Sequence, residues 1–170
     1  ENFNSNLVLH GNEYTVAEAD EFDRSFLRLS PNIACITSMD ADHLDIYGDE
    51  QHLIEGFHQF AGKIKEGGSL IVRNGLAIAG ETFGLEDDSD YSFQHIRIVD
   101  GVYHFDFKYK GGIYKDYTFL KPGRHNLLNA LAAVSMAVKA GFAPEALLPH
   151  LATFKGVKRR FSYIIKEKDR

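Results

Sequence analysis

Apolar positions along the chain fall into two regimes that meet near Gly84. Before it, short continuous apolar runs alternate with one long amphipathic stretch. Residues 14–19 (YTVAEA) and 33–38 (IACITS) are β-branched and apolar and end in polar residues, as strands covered on both faces do. The polar connection between them, DEFDRSFLRLSPN, contains one amphipathic turn. From Glu50 to Lys65, Leu53, Ile54, Phe57, Phe60, Ala61 and Ile64 recur at spacings of three and four, which predicts a helix. Asp49 is placed to cap its start and Gly67-Gly68 to end it. SLIVRN (69–74) reads as another covered strand, and strand, helix, strand is the signature of a parallel sheet.

After Gly84 the period changes to two. Residues 91–121 alternate apolar and polar, with Asp100-Gly101 and Gly111-Gly112 as turn signals, which predicts a small antiparallel meander added to the α/β core. NLLNALAAVSMAVKA (126–140) is rich in Ala and Leu and stops at Gly141, a helix with a glycine after its last turn. Pro144 opens a second helix that runs through Thr153. The tail is basic, then briefly strand-like, then charged. The expected fold class is α/β, a three-layer and mostly parallel sheet with a small antiparallel β meander.

Composition adds bounds rather than detail. With 170 residues, 44% hydrophobic and 12% aromatic, the chain is a packed globule of about one domain. A formal charge of −5 without a block of like charges leaves no electrostatic footprint for nucleic acid or an anionic membrane. No apolar stretch approaches a membrane span, and the opening ENFNSNLVLHG has no basic region followed by an apolar one. Cys35 is the single cysteine, so no disulfide framework exists and the cytoplasm is the default compartment. The start at Glu1, without an initiator Met, points to a piece of a longer protein.

The charged residues raise the chemical question. Asp40, Asp42, His43 and Asp45 follow the 33–38 strand, while Glu18, Asp20 and Glu21 end the 14–19 run. Ligands of open α/β sheets bind beyond the carboxyl ends of parallel strands, so two acidic ends converge there on one hard cation such as Mg²⁺. The alternative is that the acids are solvated loop residues or helix caps. An EF-hand is ruled out because Leu44 and Asp45 stand where a ligand and a glycine are needed. GFHQFAGK (56–63) is no P-loop, having five residues between its glycines and no Ser/Thr after Lys63. The eight histidines form no His-x-x-x-His pair, which leaves structural zinc without support.

GRHNLLNALAA (123–133) leads a glycine and polar residues straight into a helix, whose free N–H groups favour anionic or acceptor-rich ligands. His125, Asn126 and Asn129 are candidates to read a base edge; alternatively, Asn126 merely caps the helix. VKRRF (157–161) adds three adjacent cations, suited to phosphate oxygens or simply to water.

Taken in order, EADEFDRSFL (18–27), ITSMDADHLDIYG (36–48), GRHNLLNALAA and FKGVKRRF (154–161) resemble the Mur ligase family across nearly the whole chain. The resemblance implies that residues 1–156 are part of a central ATP-binding domain and residues 157–170 the start of a C-terminal domain. It implies an ATP-dependent carboxylate-amine ligase in which Glu18 and His43 are catalytic Mg²⁺ ligands. His125, Asn126 and Asn129 then lie on the adenine side of ATP, and Arg160 reaches the terminal phosphate. The likeness is strongest to the branch whose substrates are UDP-N-acetylmuramate and L-alanine, in peptidoglycan synthesis. The alternatives are the branch that recycles a preformed peptide onto the same sugar, and a non-catalytic α/β binding domain. Two departures stand out. The place of the carbamylated lysine of several relatives falls near His58 and Gln59, with Lys63 one turn too late, so no carbamylation is expected. The chain also lacks a G-x-G-K-[ST] loop, which is expected upstream of Glu1 together with the sugar domain.

Overall fold

The computed structural model describes residues 11, 13–20, 22–40 and 50–156. A 3-10 helix, Phe22–Arg28, precedes a six-stranded sheet whose strands lie side by side in chain order. They are β1 Ile33–Ile36, β2 Ser69–Arg73, β3 Glu81–Gly84, β4 Tyr91–Val99, β5 Val102–Tyr109 and β6 Gly112–Phe119. β1 to β4 pair parallel, and β5 and β6 then fold back antiparallel. Helix α1, Glu50–Ala61, links β1 to β2, and α2, Arg124–Lys139, and α3, Pro144–Ala152, follow the sheet.

Alternation along the strands builds the layers. In β1, Ile33 and Cys35 pack into the cluster that holds α2, whereas Ala34 joins Phe26 and Phe60 on the opposite face. β2 repeats the division, Ile71 facing α2 and Leu70 the other side. The sheet is thus covered by α2 on one face and by α1 with the 3-10 helix on the other. Phe26 meets Phe57 and Phe60 with ring centroids 5.8 and 5.2 Å apart. The meander contributes the larger core: Phe93, Phe105, Phe107 and Tyr117 are buried with Leu127 and Leu131 of α2. Aromatic side chains bury roughly 150–250 Å² each, so this end of the sheet supplies much of the apolar burial. Tyr117 Oη donates to Pro144 O at 2.5 Å, which fastens α3 to β6.

The meander appears where alternation predicts it, and it is joined to the α/β core because β4 pairs parallel with β3 and so continues the sheet. Its hairpins turn on Asp100-Gly101 and Lys110-Gly111, residues with φ of 50° and 76°, then 49° and 76°. Two successive positive φ values suit a two-residue hairpin turn, and they place the second turn one residue before the expected pair.

Three expectations need correction. Residues 14–19 form no strand: Tyr14 to Glu18 are exposed, and Val16 is 90% exposed. Their apolar pattern has no ladder partner among the described residues. Tyr14 instead rests on Phe142 at a centroid distance of 5.3 Å and donates to Ala140 O at 3.3 Å, beyond the far end of α2. Ala19 packs in the cluster on the opposite face. Glu18 therefore does not sit at a strand end. Helix α1 ends at Ala61, before Gly67-Gly68, because tighter turns from Phe60 to Lys63 and Ala61 to Ile64 take over. Nor does Asn126 cap α2, the alternative left open above; the cap is Gly123, and the helix begins at Arg124, two residues before the expected start. β3 was not expected from the sequence at all.

Glu81, at the start of β3, accepts from Tyr91 Oη at 2.6 Å and pairs with Lys139 in the last turn of α2. Partial burial pushes its carboxyl pKa up, but the bonds from Lys139 and Tyr91 and the Lys139 charge outweigh that and hold it below the ordinary value. A lowered folded-state pKa gives stability that is present above the unfolded value of about 4.3 and is lost as pH falls through the folded value. We expect Glu81→Gln to cost roughly 1 kcal/mol at neutral pH after allowance for solvent screening. That deficit closes on acidification below about pH 4, and thermal midpoints of both proteins across pH check it.

Candidate functional site

Two strand ends and a helix start meet at one edge of the sheet. β1 runs out into Thr37 and Ser38, β2 ends at Arg73, and α2 begins at Arg124, all lining one cavity of about 320 Å³. Phe83 and Leu128 give it an apolar wall, and His125 and Asn129 extend its border along α2. This is the carboxyl edge of the parallel strands, where ligands of such sheets bind.

The helix start follows from its sequence. Gly123 caps α2 with φ 99°, and a Cβ there would lie 2.8 Å from His125 Cε1, so only glycine fits. No side chain caps the helix and no acid occupies its first turn. The N–H groups of Arg124, His125 and Asn126 thus keep the positive end of the helix available to an acceptor. Asn126 Nδ2 donates back to Pro122 O at 2.6 Å and fastens the entry to the helix.

The charge around the cavity is divided. Arg124 Nη2 donates to Glu86 Oε1 at 3.1 Å, just beyond β3. Ser38 Oγ donates to Asp40 Oδ2 at 2.5 Å, and Asp40 N donates back to Ser38 Oγ at 3.1 Å. Among the described residues no carboxylate lines the cavity. The acids after β3 serve the fold: Asp88 Oδ1 accepts from Asn74 Nδ2 at 3.1 Å, and Asp90 Oδ2 from Thr82 N at 2.7 Å. Burial pushes the Cys35 thiol up to about 12, so it is protonated at neutral pH and no nucleophile.

A second cavity of about 310 Å³ lies between α2, α3 and the end of β6. Ala130, Ala133 and Ala137 make room on α2, and Leu147, Leu151 and Phe154 face them. Asn126 and Asn129 supply polar groups on its border, and Asn129 borders both cavities. The trio expected from the sequence is therefore split. Asn126 and Asn129 share the apolar cleft, while His125 and Asn129 share the charged cavity.

Glu18 is exposed, and no group of three His, Cys, Asp or Glu among the described residues is placed to hold a metal. Its carboxylate is the donor type a hard cation takes, as one of the one or two protein ligands that Mg²⁺ uses. His43 and Arg160, like Asp42 and Asp45, lie outside the described residues. Sequence reasoning passed over Arg73 and Arg124. For Arg124 a signal was present, since a charge at the first position of a glycine-capped helix faces the ligand edge; Arg73, a lone charge ending a strand, carried none of its own.

Compared with known proteins, residues 3–137 match the family Mur ligase middle domain. The chain is 54% identical over 167 residues to a UDP-N-acetylmuramate--L-alanine ligase of Christiangramia forsetii and 53% identical to one of Flavobacterium psychrophilum. Each match covers 98% of this chain and 37% of the relative, so the chain spans little more than a third of those proteins' length. Among solved structures, the UDP-N-acetylmuramate-alanine ligase MurC of Thermotoga maritima aligns with a TM-score of 0.74 at 25% identity, over 85% of this chain and 34% of that one. MurF of Thermotoga maritima in complex with ADP aligns at 0.66 and 17% identity over 82% and 34%, a likeness of fold alone.

Gly123→Ala tests how the helix start is built. A left-handed φ and the contact with His125 make alanine cost about 1–2 kcal/mol and displace the imidazole from the cavity border. Urea midpoints and the His125 ring resonances read the two effects separately.

Proposed function

The chain belongs to the Mur ligase family, and from that premise we propose that it is part of the central domain of an ATP-dependent ligase joining L-alanine to UDP-N-acetylmuramate in peptidoglycan synthesis. The observation that carries the reading is the carboxyl-edge cavity, where arginines and a helix start without a side-chain cap converge in a chain 54% identical to a ligase of that name. Residues 1–156 belong to the central domain in this reading, and 157–170 begin the next.

The reaction has two steps. An oxygen of the sugar carboxylate attacks the terminal phosphorus of ATP, giving an acyl phosphate and ADP. The amino nitrogen of L-alanine then attacks the acyl carbon, and phosphate leaves as the amide forms. The apolar cleft suits a flat base. Asn126 has its amide nitrogen committed to Pro122, which leaves Oδ1 to accept from an exocyclic amine, while Asn129 presents both donor and acceptor. His125 and the first N–H groups of α2 lie where acceptor oxygens of the nucleotide are favoured. Arg160 is assigned to the terminal phosphate, where a guanidinium would counter the charge that develops during transfer. Glu18 and His43 would hold Mg²⁺, which would supply charge neutralisation for the transferred phosphoryl group. The compartment is the cytoplasm. Among the described residues no helix is long and apolar enough to cross a membrane.

The full-length parent should release phosphate only when ATP, UDP-N-acetylmuramate and L-alanine are all present. A preformed tripeptide that replaced L-alanine as the better amine would move the assignment to the recycling branch, and no amine-dependent release at all would leave a binding domain. The 170-residue chain alone should show no ligation. In the parent, His43→Ala is expected to lower turnover roughly a hundredfold or more and to raise the Mg²⁺ requirement; wild-type turnover at limiting Mg²⁺ would withdraw the metal role.

A further inference from the structure

The two arginines at the carboxyl edge are not equivalent. Arg124 already donates to Glu86, whereas Arg73 makes no hydrogen bond or ion pair through its side chain among the described residues. Its backbone is nonetheless fixed, because Arg73 ends β2 in register with Phe83 of β3. Side chains two apart in a strand share a face, so Arg73 lies on the face of Ile71, which is buried against α2. It therefore leaves the sheet toward the start of α2. There the cavity offers a second guanidinium, the hydroxyl of Thr37 and, among the described residues, no lining carboxylate. A free guanidinium fork on a fixed strand end, opposite a positive helix terminus, is the donor arrangement that takes two oxygens of one anion at once.

We propose that Arg73 is a substrate-positioning residue that grips an oxyanion of the reactants at this edge. Arg124 is held beside it by Glu86. The inference rests on the ligase reading and deepens it by naming the chemistry the cavity takes, which is carboxylate or phosphoryl oxygen. Two reactants carry such groups, the sugar acid and the nucleotide, and the test separates them.

In the full-length parent, Arg73→Gln should raise KM for one anionic substrate about tenfold or more, the scale of one charge-assisted hydrogen bond, with a smaller change in kcat and an unchanged thermal midpoint. A shift confined to UDP-N-acetylmuramate assigns its carboxylate to Arg73, and one confined to ATP assigns phosphoryl oxygen. Arg73→Lys should recover part of the loss, since it keeps the charge without the fork. KM values for both substrates within about twofold of wild type overturn the proposal, because a charge-assisted contact is worth more than that. A loss of thermal stability that Lys does not repair overturns it too, by making Arg73 structural. Calorimetric titration of both proteins with inorganic pyrophosphate keeps the two readings distinct. A parent that fails to ligate yet binds pyrophosphate more tightly than Arg73→Gln loses the functional reading and keeps the anion site, and equal affinities in a parent that fails to ligate overturn the site.

Discussion

The parallel register of β1, β2 and β3 beneath α2 is the constraint from which the rest follows. Ile36 stands opposite Val72, and Arg73 opposite Phe83. Because the side-chain period is two, a slip of one residue in β2 would put Leu70 and Val72 on the α2 face and turn Ile71 away. The same slip would carry Arg73 to the far face and leave the cavity with one guanidinium. Core packing and site charge are thus set by one register, and the burial of Ile71 enforces the position of a residue two places along that is itself exposed.

Helix α2 transmits a second constraint from end to end. Its 16 residues span about 24 Å. Lys139, in the last turn, is anchored to Glu81 at the start of β3, and the stripe of Leu127, Leu131, Val134 and Val138 is buried against the sheet. With one end pinned and one face packed, the first turn has no freedom to slide along the sheet. Glycine at the cap then decides what that turn presents, since any side chain there would occupy the space of the His125 ring.

How much of this was legible in the sequence depends on whether the signal was local. The helices and the meander were readable because their periodicities and turn glycines lie within single elements. The strand expected over 14–19 failed because propensity does not supply a partner, and its exposed Val16 has none among the described residues. β3 escaped notice because its four residues, Glu81–Gly84, are too few to show a period. Gly80 is nonetheless needed there, as a Cβ would come within 2.9 Å of Leu70 O. In the site, GRHN was conspicuous as a glycine and polar residues running into a helix. Arg73 was not, for a lone arginine ending a strand is indistinguishable in sequence from a solvated charge, and only the helix start across the sheet edge gives it a purpose.

The split of the expected trio into two cavities has a geometric origin. Successive residues of a helix are turned by about 100°, so positions 126, 130, 133 and 137 form one stripe while 125 and 128 look to another side. One stripe is small and apolar and opens the cleft toward α3; the other reaches the charged edge. Asn129 lies where the two meet. A single helix start thereby offers a polar, positively charged pocket and a dry slot side by side, which matches a ligand with an anionic portion joined to a flat apolar one. The exposed Ala133 of the first stripe is then a requirement of the slot rather than a mere helix preference, because a larger side chain there would fill the space at little cost to the helix itself.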